Sequence, residues 1–106
     1  MTPAYRYRAE VDRVIDGDTY LLNIDLGFHV HAHQSIRLRG VNCPERNTEA
    51  GKVAKVFVHD IFAATNAIVV ETYKDKQTFA RWVADVYVGN DSLGYLIVAA
   101  GHGVYV

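Results

Sequence analysis

Residues 18–26 read Asp-Thr-Tyr-Leu-Leu-Asn-Ile-Asp-Leu, and their alternation decides the fold class. Apolar side chains at every second position predict a strand with one buried face, made of Tyr20, Leu22, Ile24 and Leu26. Tyr5–Ile15 alternates more loosely before it, Gly27 ends it, and His31–Arg39 alternates again after it. Three successive strands with short links predict an antiparallel meander.

The apolar spacing changes to three and four residues after Pro44, which predicts an amphipathic helix. Asn47 or Thr48 can cap its start, and we expect it to end near Thr65. Its apolar positions are Ala50, Val53, Ala54, Phe57, Ile61 and Phe62. A single main helix is therefore expected directly after the third strand.

The second half of the chain predicts two more strands, Ile68–Tyr73 and Arg81–Val88. Ser92 can cap a short second helix that ends at Gly101, and Val104–Val106 reads as extended. Periodicity alone predicts a small α+β domain, mainly β. A chain of 106 residues can bury one core, so residues 1–106 are expected to form one domain.

Composition limits the classes of function. Half of the residues are hydrophobic, 22% are charged and the formal net charge is −1, which is typical of a globular domain. Binding of nucleic acid through bulk positive charge is disfavoured, because such affinity grows with the number of Lys and Arg contacts to phosphates. No apolar run approaches ~20 residues and the N-terminus does not resemble a signal peptide. Cys43 is the single cysteine. We therefore expect a cytoplasmic protein without a membrane partner.

Three segments carry residues suited to phosphodiester chemistry. Residues 16–19 read Asp-Gly-Asp-Thr, residues 36–45 hold Arg37 and Glu45 on either side of a Pro-containing turn, and residues 79–82 read Phe-Ala-Arg-Trp. Asp-Gly-Asp alone is more typical of a polar turn than of a metal site. Together the segments offer carboxylates for a hard cation, guanidinium groups for a phosphate and a spare carboxylate, which phosphodiester cleavage requires.

In type, order and spacing these segments resemble the staphylococcal nuclease (thermonuclease) family, from about Val11 to the C-terminus. The resemblance implies a five-stranded OB-fold barrel with one main helix after strand 3 and a short second helix. It also implies a calcium-dependent nuclease that hydrolyses DNA or RNA to 3′-phosphorylated products. Inactive domains of this kind also occur, so the alternative is a catalytically weak or inactive module that binds nucleic acid or protein. A phosphate-recognising enzyme with another substrate is a further alternative.

The resemblance also implies a metal site. Asp18 corresponds to a direct calcium ligand, and Asp16 to a carboxylate that reaches the ion through water. Asn42 stands where the family usually has a ligating aspartate, and Cys43 stands where a backbone carbonyl binds the ion. Because calcium affinity depends on ligand charge, Asn42 predicts weaker binding than in a typical member.

The predicted catalytic residues are two arginines and a glutamate. By the resemblance, Arg37 and Arg81 bind the phosphate, and Glu45 acts as a general base on water or orients it. Phe79 stands where the family often has a tyrosine that contacts the base. Its ring can still stack on a base. The other predicted nucleic-acid contacts in that loop are Lys76 and Thr78. A solvated loop is the alternative for the last two.

Two further expectations concern a second metal and assembly. His29, His31 and His33 would share one face of an extended strand, which suits either Zn²⁺ or an ordinary exposed polar face. Family members continue into another C-terminal helix, whereas this sequence is given as far as Val106. Apolar surface left open there would favour a homo-oligomer.

Overall fold

The computed structural model of the chain describes residues 5–65, 67–72 and 82–106. The strands are β1 (Arg6–Asp16), β2 (Thr19–Asp25), β3 (His31–Leu38), β4 (Val41–Asn42), β5 (Ile68–Thr72), β6 (Trp82–Val88), β7 (Asp91–Ser92) and β8 (Val104–Tyr105). The helices of this described part are α1 (Glu49–Ala63) and α2 (Leu93–Ala99). The predicted mainly β, α+β fold is confirmed.

Five strands close into a barrel in the order β3, β2, β1, β5 and β6. Neighbouring pairs in this order are antiparallel, and β1, β2 and β3 form the predicted meander. The ring is closed by a short parallel pairing of β3 with β6, from Ile36 opposite Trp82 to Leu38 opposite Ala84. This closure confirms the five-stranded barrel that the family resemblance implies, with the main helix after β3.

The barrel interior contains the alternate residues predicted from β2. Tyr20, Leu22 and Ile24 are at most 1% exposed. Leu26, predicted on the same face, lies beyond the end of β2 and is partly exposed, so that part of the prediction is wrong. Trp82 at the start of β6 is also partly exposed, although it shares its strand face with the buried Ala84 and Val86.

Helix α1 packs against β1 and the core with a face slightly different from the predicted one. The buried positions are Gly51, Ala54, Val58 and Phe62. Val53, predicted to be buried, is half exposed because the inward stripe is rotated around the helix axis. Thr48 is the N-cap, as predicted, and its hydroxyl accepts a hydrogen bond from the Gly51 amide at 3.0 Å.

The three alternating histidines do not share one strand face. His29 lies in the turn before β3 with φ of 61°, whereas His31 begins the strand. His33 instead pairs with Asp12 across the sheet at 2.8 Å. The geometry therefore contradicts the zinc alternative, which requires all three on an extended strand. Within the described ranges, neither helix is long and apolar enough to cross a membrane.

Candidate functional site

A pocket of about 670 Å³ opens at one rim of the barrel, where the β1–β2 turn, β3 and the segment after β4 meet. It brings together the acidic turn, the strand arginine and the Pro-containing turn that the sequence singles out. Its lining residues are Ile15, Asp16, Asp18, Thr19, Ser35, Arg37, Asn42, Cys43, Pro44, Glu45 and Arg46.

Close packing holds the acidic turn against the segment after β4. A Cβ atom at Gly17 would lie 2.9 Å from Cys43 Sγ and 3.1 Å from Ala54 Cβ, so a side chain there requires displacement. The buried Tyr20 hydroxyl donates to the Gly17 carbonyl and ties the turn to the barrel core. Burial raises the pKa of Tyr20 well above its ordinary value, so this hydroxyl keeps its proton.

Asp18 joins the turn to the next wall of the pocket. One carboxylate oxygen accepts from the backbone amide of Cys43 at 2.9 Å, and the other accepts from the Thr19 hydroxyl at 3.2 Å. The side chain is only 14% exposed, so its charge is partly shielded from water. Carboxylate oxygens have several lone pairs, and both oxygens of Asp18 therefore retain capacity for another partner.

Arg37 is fixed by backbone as well as side-chain acceptors. Its Nη1 donates to the carbonyl oxygens of Leu38 and Val41, each at 2.7 Å. Its Nη2 donates to Asn42 Oδ1 and lies 3.7 Å from Asp18 Oδ2. The side chain is 19% exposed, which leaves one edge of a largely buried guanidinium on the pocket.

Glu45 is positioned through its backbone, and its side chain is exposed. Its carbonyl accepts from the Thr48 amide at 3.0 Å and from the Thr48 hydroxyl at 2.7 Å. A Cβ atom at Gly51 would overlap that same carbonyl, so the turn rests directly on the first turn of α1. The glutamate carboxylate is thus held near the pocket by a turn anchored to a helix terminus.

Among the described residues, one carboxylate oxygen of the pocket has no hydrogen-bond partner despite its burial. Asp16 Oδ1 is shielded from solvent and accepts from no group in the described ranges. A buried unpaired carboxylate oxygen is costly unless a proton or a cation compensates it. Within those ranges, no three His, Cys, Asp or Glu side chains are grouped to bind a metal ion. Asp16 and Asp18 fit a hard cation whose remaining ligands are water and substrate oxygens.

The pKa of the Cys43 thiol depends on burial and charge in the part of the pocket that Cys43 and Asp18 line. Burial, followed by the negative charge of Asp18, raises the pKa of Cys43 from 9.0 to about 11. The thiol is therefore protonated at neutral pH and is a poor nucleophile or metal ligand there. Its backbone amide, rather than its sulfur, contacts the acidic turn.

Some predicted site residues lie outside the described ranges, namely Arg81, Phe79, Lys76 and Thr78. Two further residues of the pocket are not among the residues predicted from the sequence. Arg46 directly follows Glu45, and Ser35 lies two residues before Arg37 in β3; both line the pocket. Period-2 alternation would have found Ser35 on the Arg37 face, whereas no local pattern distinguishes Arg46 from a solvated arginine.

Comparison with protein-family models identifies a family for most of the chain. A family model described as staphylococcal nuclease homologue matches residues 35–106, which is more than half of the chain. The matched range includes Arg37, Asn42, Cys43 and Glu45, whereas the acidic turn precedes it. A search of curated proteins found no match.

Proposed function

Because the chain belongs to the staphylococcal nuclease family, we propose that it is a calcium-dependent nuclease. Its substrates are single-stranded or frayed DNA and RNA, and its products carry 3′-phosphates. The observation that supports this proposal is the meeting of one shielded guanidinium, two carboxylates and an exposed glutamate at a single pocket. The net charge of −1 agrees with an enzyme that binds its substrate weakly and its transition state strongly.

Arg37 binds the scissile phosphate in this mechanism. A guanidinium has five N–H donors, and within the described part of the chain three of those of Arg37 are engaged by Leu38, Val41 and Asn42. The two remaining donors suit a paired contact with phosphate oxygens. Because these donors are already oriented, they stabilise the charge that develops as the phosphorus becomes five-coordinate. Arg81 is proposed as the second arginine of this contact.

Asp18 and Asp16 are the residues that would hold calcium. The bound ion would neutralise a non-bridging phosphate oxygen and so favour attack at phosphorus. The other ligands implied by the resemblance are Asn42 and the Cys43 carbonyl. The unpaired buried oxygen of Asp16 is the feature of this chain that favours a cation at the pocket.

Glu45 receives a proton from the attacking water or orients that water. Its carboxylate is exposed on the same pocket as Arg37. Attack breaks the bond between phosphorus and the 5′-oxygen, which leaves the phosphate on the 3′-oxygen. Phe79, Lys76 and Thr78 are proposed to contact the flanking nucleotides.

The test is digestion of end-labelled single-stranded DNA and RNA with added Ca²⁺ and with a chelator. We expect cleavage in the reaction with Ca²⁺ and none in the reaction with chelator. A polymerase should extend the fragments only after a phosphatase has removed their 3′-phosphates. Arg37→Ala and Glu45→Gln are each expected to lower the rate strongly. The matched controls are Arg13→Ala and Glu49→Gln, which change exposed residues away from the pocket lining.

The outcomes separate the enzyme from the binding module. Binding of the labelled strand in both conditions without cleavage would select the module. Cleavage that is unaffected by Arg37→Ala would show that this pocket is not the active site.

A further inference from the structure

Asn42 stands at a position where the family resemblance predicts a metal ligand, yet its amide oxygen is already occupied. Asn42 Oδ1 accepts a hydrogen bond from Arg37 Nη2. If Asn42 also bound calcium, the guanidinium and the calcium ion would contact the same neutral oxygen. Two positive charges so close together repel each other. The oxygen is therefore oriented towards the arginine and is poorly placed for a cation.

The backbone around Asn42 supports this orientation. Asn42 and Val41 form β4, which is held by antiparallel pairing with β8, from Val41 opposite Tyr105 to Asn42 opposite Val104. Val41 gives its carbonyl to Arg37 Nη1, and Asn42 gives its side-chain oxygen to Nη2. Two consecutive residues of one short strand thus hold both terminal nitrogens of the guanidinium.

The neutrality of the amide also affects how Arg37 can act. The Asp18 carboxylate already lies 3.7 Å from Nη2. A second carboxylate at position 42 would compete with a phosphate for the same guanidinium charge. An amide oxygen orients the guanidinium by accepting a hydrogen bond and leaves its charge available.

We propose that Asn42 is a positioning residue that orients Arg37 for phosphate and does not ligate the metal. The proposal rests on the nuclease function proposed above, because it assigns Arg37 to the phosphate. It differs from the resemblance, which gives the position to calcium. Calcium affinity in this chain then depends on the Asp16–Asp18 turn, and residue 42 sets the affinity for phosphate.

The experiment compares wild type with Asn42→Ala and Asn42→Asp, using the full chain. Calorimetric titration measures Ca²⁺ affinity without substrate, and titration with inorganic phosphate in a chelator measures anion binding without metal. NMR of the ¹⁵N-labelled arginine side chains reports whether the Arg37 Nη groups are held or rotate freely. Steady-state kinetics on single-stranded DNA give kcat and KM.

For Asn42→Ala we expect Ca²⁺ affinity within about twofold of wild type and loss of the restrained Arg37 Nη2 signal, whereas Nη1 stays held by the Leu38 and Val41 carbonyls. Activity should fall by about 10- to 100-fold, as is typical when a supporting hydrogen-bond partner is removed. Asn42→Asp should keep the restrained signals and bind phosphate more weakly than wild type. The side chain of Asn42 is exposed, and a thermal unfolding curve checks that both variants fold.

A large loss of Ca²⁺ affinity in Asn42→Ala with unchanged Arg37 signals would overturn the proposal. Phosphate binding by Asn42→Asp equal to or tighter than that of wild type would also contradict it. If wild type cleaves no nucleic acid, the proposed nuclease function fails by itself. The NMR and phosphate titrations still decide the role of Asn42 in that case, because neither requires turnover.

Discussion

Two regions of the pocket are held in different ways. On the strand side, Asp18 and Arg37 are mostly shielded, and hydrogen bonds restrain their charged groups. On the turn side, Glu45 and Arg46 have exposed side chains, and the backbone of the turn is restrained by Thr48 and Gly51. The strand side is thus oriented before substrate arrives, which suits binding of developing charge, and the turn side leaves its side chains free to meet water and substrate.

The largest effect should come from the strand side. Arg37→Lys keeps the positive charge but loses the planar group that spans Leu38, Val41 and Asn42. We expect kcat to fall by about 10²- to 10³-fold, as when one oriented donor is removed from an active site. The measurement is steady-state cleavage of single-stranded DNA, with Arg13→Lys as the matched control. Near wild-type turnover in Arg37→Lys would mean that charge alone, and not orientation, matters on this side.

The next prediction concerns how strongly the strand side is shielded from water. The probe is the thiol of Cys43, whose backbone amide donates to Asp18. Because its pKa is raised from 9.0 to about 11, the thiolate at pH 8 is about 100-fold scarcer than in an unshifted thiol. Alkylation of native protein in a chelator should be slower than that of urea-unfolded protein by a similar factor. Asp18→Asn should accelerate it, whereas Asp12→Asn, away from this pocket, should not.

The sign of the pH dependence follows from the same shift. A thiol whose pKa is higher in the folded state stabilises the fold fully below pH 9.0, and this contribution disappears as the pH rises through about 11. Wild type should therefore lose more stability than Cys43→Ala between these two pH values. Equal rates of Cys43 alkylation in folded and unfolded protein would contradict the raised pKa and show that the thiol is open to water in the folded state.

A smaller effect is expected from the support of the turn side. Gly51→Ala introduces a methyl group that overlaps the Glu45 carbonyl, so the turn must move away from α1. We expect a destabilisation of about 1–3 kcal/mol from this overpacking, and a lower kcat. Urea unfolding and cleavage rates measure the two effects. Gly94→Ala in α2 is the comparison, since its methyl group would lie 3.0 Å from a side-chain atom of the buried Val41 and away from the Glu45 turn.

The two glycine variants distinguish support of the turn from a general requirement of the helices. An alanine normally stabilises a helix interior relative to glycine. If Gly51→Ala were more stable than wild type and fully active, the turn would not depend on close contact with α1.

The smallest effect is expected from Arg46, which is exposed on the pocket wall. Arg46→Ala should weaken binding of single-stranded DNA a few-fold and lower the slope of log affinity against log salt by about 0.7, the value for one phosphate contact. The rate at saturating substrate should be unchanged. An unchanged salt slope would mean that the arginine faces solvent and does not contact the strand, and Lys55→Ala on the exposed face of α1 serves as the control.

Local sequence patterns predicted most of the elements. Alternation in β2 predicts that Tyr20, Leu22 and Ile24 are buried, and Thr48 is one of the two caps, with Asn47, that the sequence offers, because capping depends on a side-chain oxygen next to free amides. The errors occurred at element ends and helix faces. Leu26 follows the pattern but lies past the last paired residue, and Val53 is half exposed because barrel packing sets the helix rotation.

By itself, the sequence determined which chemical groups are present and which strands and helices carry them, since these depend on neighbouring residues. Only the tertiary structure decided that β3 pairs with β6 to close the barrel and that the acidic turn faces Arg37 across one pocket. It also decided that the Asn42 oxygen faces a guanidinium. The physical reason is that such contacts join distant segments, so that packing and strand pairing, rather than local preference, select each partner.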